Sequence, residues 1–300
     1  MANGIADDLI STTLLATPRP IVIAPAMNNG MWKAPATQAN MATLRDRGVH
    51  VVGPGSGYLA CGDVDTGRMS EPEDIVEAIC EVFNPAPQDL AGKRIVITAG
   101  PTHEPIDPVR FIGNRSSGKM GIALAGEAAR RGAAVTLVLG PTSLDVPHGV
   151  ECVRVQTAAE MLQAALNAFL TADAAICAAA VADYTPAAPA DHKLKKANER
   201  LNRIELVETV DILAELSCQK GERCVIGFAA ETDNVVEYAE RKLARKGCDA
   251  IIANDVTRAD SGFGTDTNKV WIVSTAGTQE LPVLTKPQLA DTILDLLKNN

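Results

Sequence analysis

The stretch "RIVITAGPTHEPIDPVRFIGNRSSGKMG" (Arg94–Gly121) decides how this chain is read. It opens on "RIVITA", a short apolar run of the kind that forms a strand buried on both faces. It closes on "GNRSSGKMG" (Gly113–Gly121), which follows most of the phosphate-loop pattern G-x-x-x-x-G-K-[ST]. A phosphate loop, however, leaves its strand directly and enters a helix. Here fourteen residues separate Ala99 from Asn114, and Met120 stands where a Mg²⁺-binding hydroxyl belongs. No G-x-G-x-x-G is present either. Ser116, Ser117 and Gly118 still open a helix, whose free N–H groups and dipole favour an anion. A plain capped helix with a glycine for close packing is the alternative.

Around this stretch the pattern alternates. Strands are expected at 93–99, 134–139, 151–155, 173–178, 223–229, 249–253 and 269–274. Helices are expected at 117–131, 157–170, 210–219, 233–246 and 286–298. Strands alternating with helices imply an α/β fold, a Rossmann-like, mostly parallel sheet with helices on both faces. Such sheets bind ligands at the carboxyl ends of their strands. The composition agrees: 46% of residues are hydrophobic but only 3% aromatic, which favours α/β layers over a β-sandwich.

Upstream, the break "NPAPQDLAG" (84–92) marks a linker, taken as 85–92, between a first domain at 1–84 and a second at 93–300. In the first domain "MANGIADDLISTTLLAT" has helical periodicity and "RPIVIAPAM" reads as a buried strand. "MWKAPATQANMATLRDRG" reads as one helix closed by Gly48, followed by the short strand "VHVVGP". A glycine-rich loop, "GSGYLACGDVDTGRM", leads to the helix "SEPEDIVEAICEVF", with Ser70 and Glu73 as a capping box.

The formal charge of −9 disfavours a nucleic-acid partner, because an acidic chain repels a phosphate backbone. A small anion remains possible where cations gather. Seven cysteines form no C-x-x-C and no zinc spacing, so a reducing cytoplasm is the simplest setting. No signal peptide, transit peptide or long apolar span is visible, so no membrane partner is expected.

"ITAGPTHEPIDPVRFIGNRSSGKMG", with "AAAVADY", "KLKK", "GFAAET" and "ANDV" in order behind it, resembles phosphopantothenate–cysteine ligase, the amide-forming step of coenzyme A synthesis. The likeness covers 93–300. "PAMNNGMW" (25–32) and "ACGD" (60–63) resemble the flavin-dependent phosphopantothenoylcysteine decarboxylase of bifunctional bacterial chains. That family's catalytic His and most of its flavin-binding segments lie upstream of the matching motif. Only 24 residues precede Pro25 and none is His, so the front of the flavoprotein domain is expected to be missing. FMN binding and decarboxylation by this chain alone are expected to be lost with it.

The resemblance implies a reaction and a set of residues. CTP activates the carboxylate of 4′-phosphopantothenate as an acyl-cytidylate with release of pyrophosphate; the amine of cysteine then displaces CMP. By resemblance Cys177, Ala178, Ala179, Asp183, Lys193, Val210, Asp211, Ile212, Leu213, Phe228, Lys242 and Lys246 contact CTP. The family's helix-start contact usually reads Asn-Pro-Asp-Ile; here it is "TVDI" (209–212). Asp183 is also a candidate for Mg²⁺. Asn114 and Lys193 are the expected catalytic residues of the ligase, Asn114 holding an acyl or phosphate oxygen. Arg110 and Arg115 are candidates for the substrate phosphate, by charge and proximity only. In the decarboxylase part, Asn28 is implied to bind the substrate carboxylate and Cys61 to protonate the product.

Each residue also has a bland reading. "KLKK" suits a solvated basic loop, Lys242 and Lys246 a basic helix face, Phe228 the core, Asp183 a cap or turn, Asn114 a turn, and Cys61 an ordinary loop position. Beside the ligase stand three other functions: a fully bifunctional enzyme whose start lies further upstream, a non-catalytic assembly partner of intact flavoproteins, and a Rossmann oxidoreductase. The family also suggests a homodimer through the ligase domain, with flavoprotein trimers building a larger assembly.

Overall fold

The computed structural model describes residues 1–58, 64–83, 85–195, 203–258, 261–262 and 264–298. They form two compact units, Met1–Ala86 and Pro87–Asn300.

The second unit is built on one eight-stranded sheet. Its strands in chain order are β1 (Arg94–Ala99), β2 (Ala134–Leu139), β3 (Glu151–Arg154), β4 (Ala174–Cys177), β5 (Cys224–Glu231), β6 (Ala250–Asp255), β7 (Val270–Ser274) and β8 (Gly277–Glu280). Across the sheet they lie in the order β8-β7-β6-β5-β4-β1-β2-β3. Strands β1 to β6 pair in parallel, while β7 and β8 add an antiparallel edge. The chain therefore steps outward from β1 to β3, then returns to the other side of β1 at β4. This is the doubly wound order, and its reversal between β1 and β4 opens a crevice at their carboxyl ends. β8 was not expected. All four residues of "GTQE" are exposed, so no apolar alternation announces it.

Five helices cover the sheet: α1 (Lys119–Arg130), α2 (Ala158–Phe169), α3 (Ile212–Cys218), α4 (Val235–Lys246) and α5 (Lys286–Leu294). Alternation along the strands sorts side chains to two cores. Ile95, Ile97, Leu137, Leu139, Ile176 and Ile226 face α1 and α5. Val96, Val138, Ala175, Val225 and Ile251 face α2, α3 and α4. Each large aliphatic side chain buried this way contributes about 1.5–3 kcal/mol.

The stretch read as a linker is partly built into this unit. Leu90 is fully buried, its N–H donates to the Arg131 carbonyl, and Asp89 pairs with Arg131 at 2.9 Å. Arg131, itself fully buried, also reaches Asp291 and Asp295 at 3.0 Å each. One apolar residue and one acid beside a buried guanidinium are enough to dock a segment that composition marks as loose.

The first unit differs from its sequence reading. "RPIVIAPAM" forms only the strand Val22–Ile23, half-buried and paired in parallel with His50–Val51. The expected single helix is two, Asn29–Lys33 and Pro35–Asp46, because Pro35 starts the second and cannot continue the first. Part of the glycine-rich loop is a ladder, Gly55–Tyr58 against Val64–Arg68. The last helix runs Pro72–Phe83, with Ile75 donating to the Glu71 carbonyl. That makes Glu71 the cap position, one residue past the expected Ser70. The expected first helix forms as Leu9–Ala16, with Asp8 accepting from the Ser11 N–H.

Candidate functional site

The crevice between β1 and β4 is the mouth of a cleft of about 610 Å³. Its shape follows from small residues. Gly118 begins α1 with φ +81°, a conformation that disfavours any side chain. Gly121 packs so closely on β1 that a Cβ would lie 2.3 Å from the Ala99 Cβ. The start of α1 is thus pressed onto the end of β1. Between them the chain makes a hairpin, His103–Pro105 against Phe111–Gly113, which accounts for the long spacing that breaks the phosphate-loop pattern.

Twelve of the expected residues line this cleft: Asn114, Cys177, Ala178, Ala179, Asp183, Val210, Asp211, Ile212, Leu213, Phe228, Lys242 and Lys246. They come from five separate segments that the doubly wound sheet gathers at one end. The wall formed by α3 and α4 is tied together by charge. Asp211 caps α3 by accepting from the Ala214 N–H at 2.9 Å and pairs with Lys246. Burial works to raise the Asp211 carboxyl, but Lys246 and the cap hold it below its ordinary pKa. Lys242 donates to the Phe228 carbonyl at 2.8 Å, and burial lowers its pKa. Among the described residues no carboxylate is in hydrogen-bond contact with its charge, so an anion entering the cleft would relieve it.

The N–H groups of Ala178 and Ala180 donate back to Thr98 and Gly100 at 3.1 and 2.9 Å, continuing the parallel pairing past the strand ends. Burial, then Cys248 and Asp211, pushes the Cys177 thiol up to about 12, which disfavours its thiolate.

Asn114 is held by the stretch that follows β4. Its amide nitrogen donates to the carbonyls of Val181 at 2.9 Å and Ala180 at 3.3 Å, pinning the loop before α1 to the end of β4. Its oxygen, an acceptor, is what it can turn to a ligand.

Three expected residues do not line the cleft: Lys193, Arg110 and Arg115. Lys193 is exposed on its loop. Arg110 is engaged elsewhere, with Nε 3.0 Å from Asp107 and Nη2 donating to the Leu194 carbonyl at 2.8 Å. Leu194 in turn donates to Asp107 at 3.2 Å. The Arg110 pairing holds the buried Asp107 carboxyl well below the usual range. This pair anchors the loop that carries Lys193. Lys119, Asn254, Asn268 and Lys286 line the cleft without having been expected. Lys119 and Asn254 fall within the quoted stretches "GNRSSGKMG" and "ANDV", whereas only their meeting in space marks Asn268 and Lys286.

In the first unit, Asn28 accepts from the Gly30 N–H at 2.8 Å and so caps the helix Asn29–Lys33. Gly67 approaches closely enough that a Cβ would lie 2.3 Å from the Met27 carbonyl oxygen. Asn29 and Lys33 both donate to Asp65, at 2.5 and 2.7 Å. The Asn29 oxygen is buried without a hydrogen-bond donor, an acceptor that a bound group would satisfy. Cys61 lies outside the described residues. No described helix is long and apolar enough to cross a membrane.

Two family models match the chain: the DNA/pantothenate metabolism flavoprotein C-terminal domain over residues 90–300 and the flavoprotein model over 1–84. The coenzyme A biosynthesis bifunctional protein CoaBC of Bacillus subtilis (strain 168) is 49% identical, with 98% of this chain and 73% of that protein covered. Its counterpart in Escherichia coli (strain K12) is 48% identical over the same shares. Among solved structures, the C-terminal domain of a coenzyme A biosynthesis bifunctional protein CoaBC matches with a TM-score of 0.61 at 45% identity. That match covers 71% of this chain and 97% of that one. The expected missing front and the loss of decarboxylation are not borne out by these likenesses, since the relatives are bifunctional proteins and the flavoprotein model matches 1–84.

Proposed function

The chain belongs to the bifunctional CoaBC family of coenzyme A biosynthesis, and from that premise we propose that its second unit joins 4′-phosphopantothenate to cysteine with CTP as the activating nucleotide. The carboxylate oxygen attacks the α-phosphorus of CTP and pyrophosphate leaves. The cysteine nitrogen then attacks the acyl carbon, loses a proton, and CMP leaves with the C–O electron pair.

One observation carries this reading: the cleft at the sheet's reversal brings Asn114, the end of β4, and Lys242 and Lys246 to a single space. The two lysines supply cations for the nucleotide phosphates on a chain whose net charge is −9. Phe228 and the alanine floor receive the base. Recognition of cytosine by backbone groups of the floor would reject a base that left them unpaired. The acceptor oxygen of Asn114 is suited to the attacking amine. Lys193 reaches the phosphates from the loop that Asp107 and Arg110 anchor. Among the described residues no three metal-ligating side chains converge. Asp183 is the carboxylate that would help to hold Mg²⁺, which would supply charge for the nucleotide phosphates.

A flavin is the cofactor implied for the first unit, and the orphan oxygen of Asn29 fits a bound group there. The ligase unit is proposed to pair with a second copy. Phe111, Val109, Tyr184, Leu206 and Val207 are exposed apolar residues on or beside its hairpins, and sedimentation at micromolar concentration tests the pairing.

The experiment is pyrophosphate release from CTP with 4′-phosphopantothenate and Mg²⁺, followed by product formation on adding cysteine. An equal or higher kcat/KM with ATP would overturn the choice of nucleotide. No release with any nucleotide would overturn the ligase.

A further inference from the structure

Glu104 is a buried carboxylate that the chemistry above does not use. It is 3% exposed, in the middle of the hairpin strand His103–Pro105. An acid so buried is costly unless donors compensate it. Its Oε1 accepts from the Ala158 N–H at 2.8 Å. Ala158 is the first residue of α2, so this N–H has no acceptor within its own helix, and the helix dipole favours an anion beside it. α2 already has a capping box of its own. Thr157 accepts from the Glu160 N–H at 3.2 Å, and the Glu160 carboxylate returns to the N–H groups of Gln156 and Thr157. The bond from Ala158 therefore serves the hairpin. Two further bonds hold the same strand: His103 donates to the Gln156 carbonyl at 2.8 Å, and the Thr102 hydroxyl accepts from the Ala182 N–H at 3.0 Å. Across the hairpin Glu104 stands opposite Ile112 and His103 opposite Gly113. Gly113 lies so close to the first strand that a Cβ would be 2.8 Å from the Thr102 carbonyl oxygen. The next residue is Asn114. Anchoring the first strand thus fixes where Asn114 leaves the second.

We propose that Glu104 is a positioning residue for amide formation: by fastening the hairpin to the start of α2, it sets the place of the Asn114 oxygen in the cleft. The proposal rests on the ligase reading above, in which that oxygen meets the attacking amine. Glu104 itself does not line the cleft, so it acts through the hairpin and touches no ligand.

The test uses the full chain and the variants Glu104→Ala, Glu104→Gln and Ala158→Pro, with the two half-reactions read separately. Single-turnover pyrophosphate release from CTP and 4′-phosphopantothenate reports the first, and cysteine-dependent CMP release the second. Glu104→Ala should slow CMP release by about tenfold or more, the scale of a misplaced contact group, and leave pyrophosphate release and the KM for CTP within about twofold. Glu104→Gln keeps an acceptor oxygen of the same reach and should retain more than about half of the rate. Ala158→Pro removes the N–H donor at a first helical position, behind an extended Thr157 that suits proline. It should reproduce Glu104→Ala, and it carries the test if that variant does not fold. In an Asn114→Ala background Glu104→Ala should have no further effect; full additivity would leave Glu104 a structural residue and overturn the proposal. Equal slowing of both half-reactions would overturn it too, as would normal CMP release in folded Glu104→Ala. Hydrogen exchange over residues 103–116 separates the anchor from the ligase reading. Faster exchange there in Glu104→Ala, in a chain that does not ligate, would keep the anchor and sink the ligase. Ligation at the wild-type rate with a loosened hairpin would do the reverse.

Discussion

The two units of this chain have opposite relations to their own cores. In the second, two continuous clusters of buried aliphatic residues lie on the two faces of one sheet. In the first, Met41 and Leu44 are the buried hydrophobic residues among those described. Leu9, Ile10, Leu15, Met31, Val76 and Phe83 are exposed there. Helical periodicity and short apolar runs occur in both units. The difference is that in the second each element has a partner for its apolar face, and burial against partners supplies most of the stability of a helix or strand.

The contrast can be tested by perturbing each unit in turn. The largest effect is expected at Arg131, which three carboxylates surround in the second unit. Arg131→Ala should cost about 3–5 kcal/mol, because it leaves those acids facing a cavity without their cation. Denaturant unfolding followed by a second-unit probe checks this, and a loss under about 1 kcal/mol would show that the clasp is ornamental.

Next in size is the effect of nucleotide. CTP at about a hundredfold over its Kd should stabilise the second unit's transition by about 2.7 kcal/mol and leave the first unit's unmoved. Lys242→Met should remove most of that shift, whereas Lys195→Ala should not. A shift shared by both transitions would break the comparison.

Acid should act on the second unit more than on the first. The hydrogen bonds from Arg131 and Lys298 hold the Asp89 carboxyl down to about 2, below its unfolded value. The stability it contributes is therefore complete above about pH 4 and is lost as pH falls toward 2. In the first unit the Lys33 hydrogen bond lowers Asp65 in the same direction, but that pair is more exposed. Scanning calorimetry from pH 6 to pH 3 should move the second transition further than the first.

The smallest effect is expected in the first unit itself. Leu9 is 83% exposed, so Leu9→Ser should change stability by no more than about 0.5 kcal/mol. Deleting residues 1–86 should leave the second unit's melting and its CTP use unchanged. A protein that unfolds on deletion would show that the second core is not self-sufficient.

Much of the second unit was legible in advance. "AVTLVL" begins and ends as a strand where its apolar run does, and the other expected sheet strands and helices lie within about two residues of their limits, except that the last helix, expected to 298, ends at Leu294. Buried parallel strands and amphipathic helices write their periodicity into the chain. The first unit was less legible. "RPIVIAPAM" has the composition of a buried strand but forms two paired residues, because pairing needs a neighbour and composition cannot supply one. The antiparallel edge at Gly277–Glu280 was invisible for the opposite reason: it pairs through its backbone and shows no apolar side.

The same division runs through the site. Sequence alone determined the alternation of strand and helix, the glycines that let α1 lie against β1, the family motif that contains Asn114, and the helical spacing of Lys242 and Lys246. Only the tertiary structure decided that the chain reverses between β1 and β4 and so opens a cleft there. It alone committed Arg110 to Asp107, turned the Asn114 nitrogen to the end of β4, and brought Glu104 to the start of α2. Local periodicity is fixed by backbone geometry within a few residues. The charge environment of a side chain depends on which distant helix starts beside it, and that is set by the order of strands in the sheet.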